Sequence, residues 1–401
     1  MNGTARPQAV VGRSGKRVEL FPLDYWLLGA ALILLCFGLV MVASASMTVS
    51  ERLSGSPFFY VQRHLFAMLL GLAGALALFR VPMQSWQRLG PWLVFAGFIL
   101  LMLLLVPGVG KTVNGATRWI PLGVFNLQSS EFMKLFMVLY IAGYLVRRQD
   151  EVIQSFWGFA KPMVVLVLAS YLILLQPDFG TTVVMFATAV GMLFLGGVVL
   201  YQFAILVGLA GVAGGLLIVF SPYRWERVTT FLNPWDDPYN TDFQLSQALI
   251  AFGRGELTGV GLGNGIQKQF YLPEAHTDFI MAVVGEEFGL LGTLGVILLF
   301  AFIVWRAFQI GARAEQGKAR FAAYVAYGMG LWLALQTFIN IGVNVGMLPT
   351  KGLTLPFLSY GGNSIIVACL VITLLLRIDH EVRVASSNSE EKTGGREWSL
   401  V

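Results

Sequence analysis

Asp278 is the residue placed best for chemistry. It lies in Pro273-Glu274-Ala275-His276-Thr277-Asp278-Phe279-Ile280, where a long polar segment runs into an apolar one. A carboxylate at such a boundary is partly desolvated and suited to take up a proton. Spacing alone fits a helix cap equally well. His276 is a second polar group at the same boundary. Lys351 stands in Pro349-Thr350-Lys351-Gly352, ahead of Ser359-Tyr360-Gly361-Gly362-Asn363-Ser364. Glycines just before a helix start leave backbone amides free to meet an anion, and Lys351 would add a point charge. The alternative there is a tight turn between two helices. Arg118, beside Trp119 and after the turn signal Asn114-Gly115, offers a further cation or an interfacial anchor.

Other polar residues sit where they are expensive, inside apolar runs. Lys134 follows Glu131 by one helical turn, as an i,i+3 ion pair or as a cation lining a cavity. One of Glu286 and Glu287 falls near the face of Asp278, for chemistry or for gluing helices together. Gln336, Asn340 and Asn344 recur every four residues and draw one polar stripe, which must face a bundle interior or a wet cavity. Asp178, in Gln176-Pro177-Asp178-Phe179-Gly180, reads first as an N-cap. The glycine-rich stretch 253–265 lacks the strand and helix that a dinucleotide fingerprint needs, and reads as a flexible or close-packed loop.

The elements that must position these groups follow from composition. Of 401 residues, 56% are hydrophobic and only 12% charged, and the mean hydropathy is +0.72. Such a chain has too little polar surface for a soluble enzyme, a secreted domain or a disordered protein. About ten apolar runs approach the roughly 20 residues that a helix needs to cross a bilayer: 24–47, 63–80, 91–107, 131–147, 161–176, 179–197, 202–221, 279–306, 322–347 and 363–378. They do not alternate as barrel strands would. The expected fold is an all-α polytopic membrane protein with a large extracytoplasmic loop, 222–278, before the eighth span. Residues 1–23 and 384–401 read as polar cytoplasmic tails. The first run is too long for a cleaved signal peptide. Loop Lys and Arg divide about seventeen against nine between the two sides, which places both termini in the cytoplasm and the richer loops outside. The net charge of +5 is scattered beside apolar runs and gives no nucleic-acid surface. Cys36 and Cys369 lie in separate apolar runs and imply neither a disulfide framework nor a metal cluster. The whole suggests an outward cavity for an anionic, amphiphilic substrate, with chemistry and transport both open.

The runs Asn114 to Ile120, Gln128 to Lys134, Gln176-Pro177-Asp178, Asn233-Pro234-Trp235, Glu274 to Ile280, Gly285-Glu286-Glu287 and Ser359 to Gly362 resemble the SEDS family (shape, elongation, division and sporulation) over nearly all of 24–383. The element Pro349 to Pro356 looks more like the division branch than the elongation branch. Ser129 stands where the family usually has proline, and Asn363 where serine is commoner; both concern local loop shape. The resemblance implies a peptidoglycan glycosyltransferase of the bacterial inner membrane that polymerises lipid II at the division septum, with lipid II flipping as the alternative. It implies that Asp278 is the essential acid. It also implies a class B penicillin-binding transpeptidase and other divisome membrane proteins as partners. A divalent cation, magnesium or manganese, would fit the undecaprenyl-pyrophosphate-linked glycan; no organic cofactor is implied. Pyrophosphate leaves readily once its charge is neutralised, so one base and several cations suffice. The candidate cations are Lys351, Arg118, Lys134, Arg224 and Arg227. Ser359, Gly361 and Gly362 are candidates for the anion, and Glu286, His276 and Asn344 for polar support.

Overall fold

In a computed structural model, the described residues are 23–113, 116–123, 125–198, 200–221, 225, 235, 243–349 and 352–397. They form helices α1 (Tyr25–Ser54), α2 (Phe59–Leu78) and α3 (Met83–Leu103), then strands β1 (Lys111–Val113), β2 (Ala116–Pro121) and β3 (Asn126–Gln128). Helices α4 (Ser129–Gln154), α5 (Phe156–Leu174), α6 (Phe179–Leu195), α7 (Leu200–Val219) and α8 (Phe243–Gly255) follow. The chain then continues as α9 (Ile280–Gln316), α10 (Arg320–Asn344) and α11 (Gly362–Glu397). Seven of these helices (α1 to α5, α9 and α10) are long and apolar enough to cross a membrane. Each of the ten apolar runs contains one helix, so the polytopic all-α reading stands.

Local chemistry explains where the helices begin. Asp24 accepts from Leu27 N at 3.1 Å to cap α1, and Gly55 ends that helix in the left-handed region at φ 70°. Asp178 accepts from Thr181 N at 3.3 Å, the capping role read from its position before α6. Helix α4 is central: 78% of its most apolar window is buried within the protein. It packs with α6, α10 and α11, while α2 and α3 present much of their surface outward. At the end opposite the β-strands, Arg306 Nε meets Asp24 at 2.9 Å, Arg313 meets Asp379 at 2.9 Å and Arg383 meets Asp379 at 2.7 Å. These pairs tie α1, α9 and α11 together.

Three features depart from the sequence reading. Segment 107–130 contains a three-stranded antiparallel sheet in the order β1-β2-β3, where the all-α reading held no strand. Strands of three to six residues are too short to show alternation. Helix α9 breaks at Gly289, whose φ of 64° and ψ of −159° only glycine adopts readily. Helix α11 runs on to Glu397 through residues assigned to a tail; 384–393 hold no proline or glycine to stop it.

Candidate active site

The turns at the sheet end of the bundle enclose a cavity of about 1750 Å³. Part of its wall is apolar, from Val49 and Leu53 on α1, Phe66 and Leu70 on α2, and Ile366 on α11. Part is polar. The strands contribute Lys111, Arg118 and Asn126, α2 contributes Arg63, and segment 270–279 contributes Glu274, His276 and Asp278. A cavity with both apolar and charged wall suits a lipid-linked anion.

Asp278 is held by its own backbone. Its carbonyl accepts from Asn340 Nδ2 at 3.0 Å and from Asn344 Nδ2 at 2.9 Å. Asn344 Oδ1 in turn accepts from Ala282 N at 3.1 Å. The polar stripe of α10 therefore faces inward and fixes the chain at the start of α9. The cap position of α9 is Phe279, which makes no side-chain cap bond; the capping alternative for Asp278 is not what the fold uses. Its carboxylate lies on the cavity wall near Gly352, where a Cβ would stand 3.1 Å from Oδ2.

His276 also lines the cavity, stacked beside Tyr60 and Tyr360 at ring separations of 4.8 and 5.6 Å. Its backbone carbonyl accepts from Tyr360 N at 2.8 Å, which joins segment 270–279 to the turn before α11. Burial lowers the His276 pKa, and the nearby Glu274 carboxylate opposes that shift. Burial also raises the Tyr360 phenol, against the pull of Arg63.

Gly361 and Gly362 lie on the wall, at the start of α11. The first helical bond there runs from Ile365 N to Gly361 O at 3.0 Å, so the amides of residues 362–364 precede the hydrogen-bonded ladder. Asn363 Nδ2 donates to Asn126 O at 2.6 Å and docks this helix start on β3. Ser359 is buried behind the wall; its Oγ accepts from Leu355 N at 2.7 Å and shapes the turn.

Arg118 reaches the cavity but is partly committed. Its Nε donates to Gln176 O at 3.1 Å and its Nη2 to Pro177 O at 2.5 Å, anchoring β2 on the turn before α6. Lys134 does not line the cavity. It is 2% exposed, donates to Glu131 Oε1 at 2.9 Å and to Gln336 Oε1 at 2.8 Å, and lies 4.9 Å from the Trp332 ring. The ion-pair reading holds for Lys134, and its expected place among the substrate cations is corrected. Glu286 is likewise buried away from the cavity, where it accepts from Ile266 N at 2.8 Å and Arg254 Nη1 at 2.9 Å. Lys351, Arg224 and Arg227 lie outside the described residues.

Two wall cations escaped the sequence reading. Arg63 packs 4.3 Å from the Phe59 ring, and Lys111 stands on β1. A cation at the start of an apolar run reads as an interfacial anchor until the neighbouring turns are placed around it. Among the described residues, no group of three His, Cys, Asp or Glu side chains is arranged to hold a metal ion.

A part-apolar cavity with cations and carboxylates on its wall, at one end of a multi-span helical bundle, is the kind of site that a membrane-embedded enzyme of lipid-linked anions requires. The family model of the FtsW, RodA and SpoVE cell cycle proteins matches residues 25–384. The chain belongs to this family. It is 55% identical to the probable peptidoglycan glycosyltransferase FtsW of Allochromatium vinosum, covering 98% of this chain and 99% of the relative. It is 51% identical to the protein of the same name from Halorhodospira halophila, covering 94% and 96%. Among solved structures, a chain of a peptidoglycan synthase complex that coordinates polymerization and crosslinking is 27% identical with a TM-score of 0.72, covering 90% of this chain and 98% of that one. The rod shape determining protein RodA of Thermus thermophilus is 26% identical with a TM-score of 0.66, covering 89% and 96%.

Proposed function

We infer that this chain is a peptidoglycan glycosyltransferase that polymerises lipid II, with Asp278 as its general base. The observation that carries the reading is the placement of Asp278: on the wall of a part-apolar cavity, its backbone pinned by Asn340 and Asn344. The lipid chain of the donor lies along the apolar wall of α1 and α2. Its pyrophosphate meets Arg63, Lys111, the uncommitted Nη1 of Arg118 and the amides that open α11. Asp278 takes the proton of the acceptor 4-hydroxyl. That oxygen then bonds to the donor anomeric carbon as the bond to pyrophosphate breaks, with inversion. The cations stabilise the charge on the leaving group where it develops, so a second carboxylate acting as acid is not required.

A divalent cation fits as a passenger of the pyrophosphate. Magnesium is commonly held by one or two carboxylates together with substrate phosphates, and Asp278 and Glu274, the wall carboxylates of segment 270–279, would share it. When bound it would neutralise leaving-group charge. We further propose that the cavity opens on the outer face of the inner membrane, with both termini cytoplasmic. The working complex is a pair with a class B penicillin-binding transpeptidase at the division septum, among other divisome membrane proteins.

The test is polymerisation of labelled lipid II by the purified chain with its transpeptidase. Asp278→Asn keeps side-chain size and leaves both backbone bonds in place but cannot accept the proton. Removing a positioned base costs about 100- to 10,000-fold in rate. A variant within a few-fold of wild type would overturn the assignment, and lipid II translocation without polymer would favour transport.

A further inference from the structure

We propose that Lys268 and Glu287 form a buried staple that positions the segment carrying Asp278, and that Lys268 is a positioning residue for the transfer reaction; this rests on the function inferred above. The two consecutive glutamates of α9 sit about 10 Å along the helix from Ile280, at 1.5 Å per residue. Both are buried, and their side chains serve different partners. Glu286 gathers the backbone amides of Ile266 and Gln267, at 2.8 and 3.1 Å, together with Arg254. Glu287 binds Lys268 Nζ, and both its oxygens accept from Ser44 Oγ of α1, at 2.8 and 2.9 Å. Lys268 Nζ also donates to Ser44 Oγ at 2.6 Å, which closes the triad.

The backbone around this triad is built for close approach. Where α9 breaks at Gly289, Val260 N donates to Glu286 O and Gly261 N to Glu287 O, both at 3.0 Å. In return Leu290 N donates to Glu256 O at 2.9 Å and Leu291 N to Leu257 O at 3.1 Å. A Cβ at Gly255 would stand 1.8 Å from Gly285 O, and one at Gly259 would stand 2.2 Å from Glu287 O. The glycine-rich stretch is therefore a turn pressed against the broken helix. Segment 269–279 then runs from the Lys268–Glu287 pair to the amides on Asp278 O. Its first residues fold back on 266–267, with Gln269 N on Ile266 O at 2.8 Å and Leu272 N on Gln267 O at 2.7 Å. Glu286 holds 266 and 267 by their amides, and Lys268 ties this turn to Glu287 and to α1. Its release should let Asp278 shift without emptying the substrate cavity.

A positioning role and a purely structural ion pair predict different results. Lys268→Met should lower kcat for lipid II polymerisation about 10- to 100-fold, the scale of a misplacement near 1 Å, with KM within about 3-fold. Lys268→Arg keeps the charge and should keep kcat. The double variant Lys268→Met/Glu287→Gln removes the unpaired buried charge and should recover thermal stability, yet its kcat should stay low. If the double variant regains wild-type kcat, the pair serves stability alone and the proposal fails. A second arm is independent of chemistry. In a chain with Cys36→Ala and Cys369→Ala, Thr277→Cys is labelled by a charged maleimide, with and without Lys268→Met. Faster labelling in the variant supports release of the segment, and an unchanged rate overturns it. Absence of polymerisation by the wild-type chain would sink the inferred function while leaving the labelling arm decisive.

Discussion

Asn344 gives the sharpest link between packing and rate. Its side chain is fully buried, accepts from Ala282 N at 3.1 Å, and donates to Asp278 O and to Asn340 O, both at 2.9 Å. Asn344→Ala takes one of two acceptors from the buried Ala282 amide, which keeps Phe279 O at 3.0 Å. Each hydrogen bond lost in this way contributes about 0.5–1.5 kcal/mol. The Asp278 carbonyl keeps Asn340 Nδ2 at 3.0 Å, so the start of α9 should loosen without unfolding. Loss of one of two restraints on the base should lower kcat about 10- to 100-fold, the scale on which small misplacements act. KM should move little, because Asn344 is not on the cavity wall. The control is Thr337→Ala on the same helix, whose buried Oγ has no hydrogen-bond partner among the described residues. Thermal unfolding in detergent and steady-state polymerisation of fluorescent lipid II measure the two effects separately. A variant that loses stability but polymerises at wild-type kcat would refute the argument and leave the amide as helix glue.

Lys134→Met should destabilise the bundle by about 3–5 kcal/mol by leaving Glu131 unpaired, and Lys134→Met/Glu131→Gln should recover most of that in thermal unfolding; a raised KM for lipid II in a folded double variant would return Lys134 to the substrate site. His276 has a lowered pKa through burial, so unfolded chains take up its proton before folded ones as pH falls. Its contribution to stability is full above its unfolded pKa of about 6.5 and is lost as pH drops from there towards the folded value. His276→Gln should flatten melting temperature against pH over that interval, and an unchanged profile would place the titration elsewhere.

Much of this architecture is legible in residue order. The apolar runs are long, and the costs of placing Gln336, Asn340 and Asn344 in lipid leave the bundle interior as their only outlet. Asp178 also reads correctly, because capping is local. What fails to show is what depends on distant partners. Lys134 resolves from two readings to one only when Gln336, 202 residues away, comes within 2.8 Å. Arg63 becomes a wall residue only when α2 and segment 270–279 converge. The glycine run 253–265 reveals its purpose only against the break at Gly289. The short sheet has no periodicity to betray it, yet it carries Lys111 and Arg118.

The base and the cations come from different elements, and this has a mechanical consequence. Asp278 belongs to segment 270–279, fastened to α10 by amides, whereas Lys111 and Arg118 ride on strands fastened to the turn at Gln176 and Pro177. The span between base and leaving group is therefore set by how two independently anchored units meet, with Asn363 bridging to β3 from α11. Charges inside the bundle do not attract the leaving group themselves, because Lys134 and Lys268 are each paired with a buried glutamate that offsets their charge. On the proposed assignment, attraction of a pyrophosphate falls to the wall cations, and proton removal to Asp278 on a separate arm. Binding and chemistry can then be weakened independently, which is why the Lys268 and Asn344 substitutions are read by their separate effects on KM and kcat.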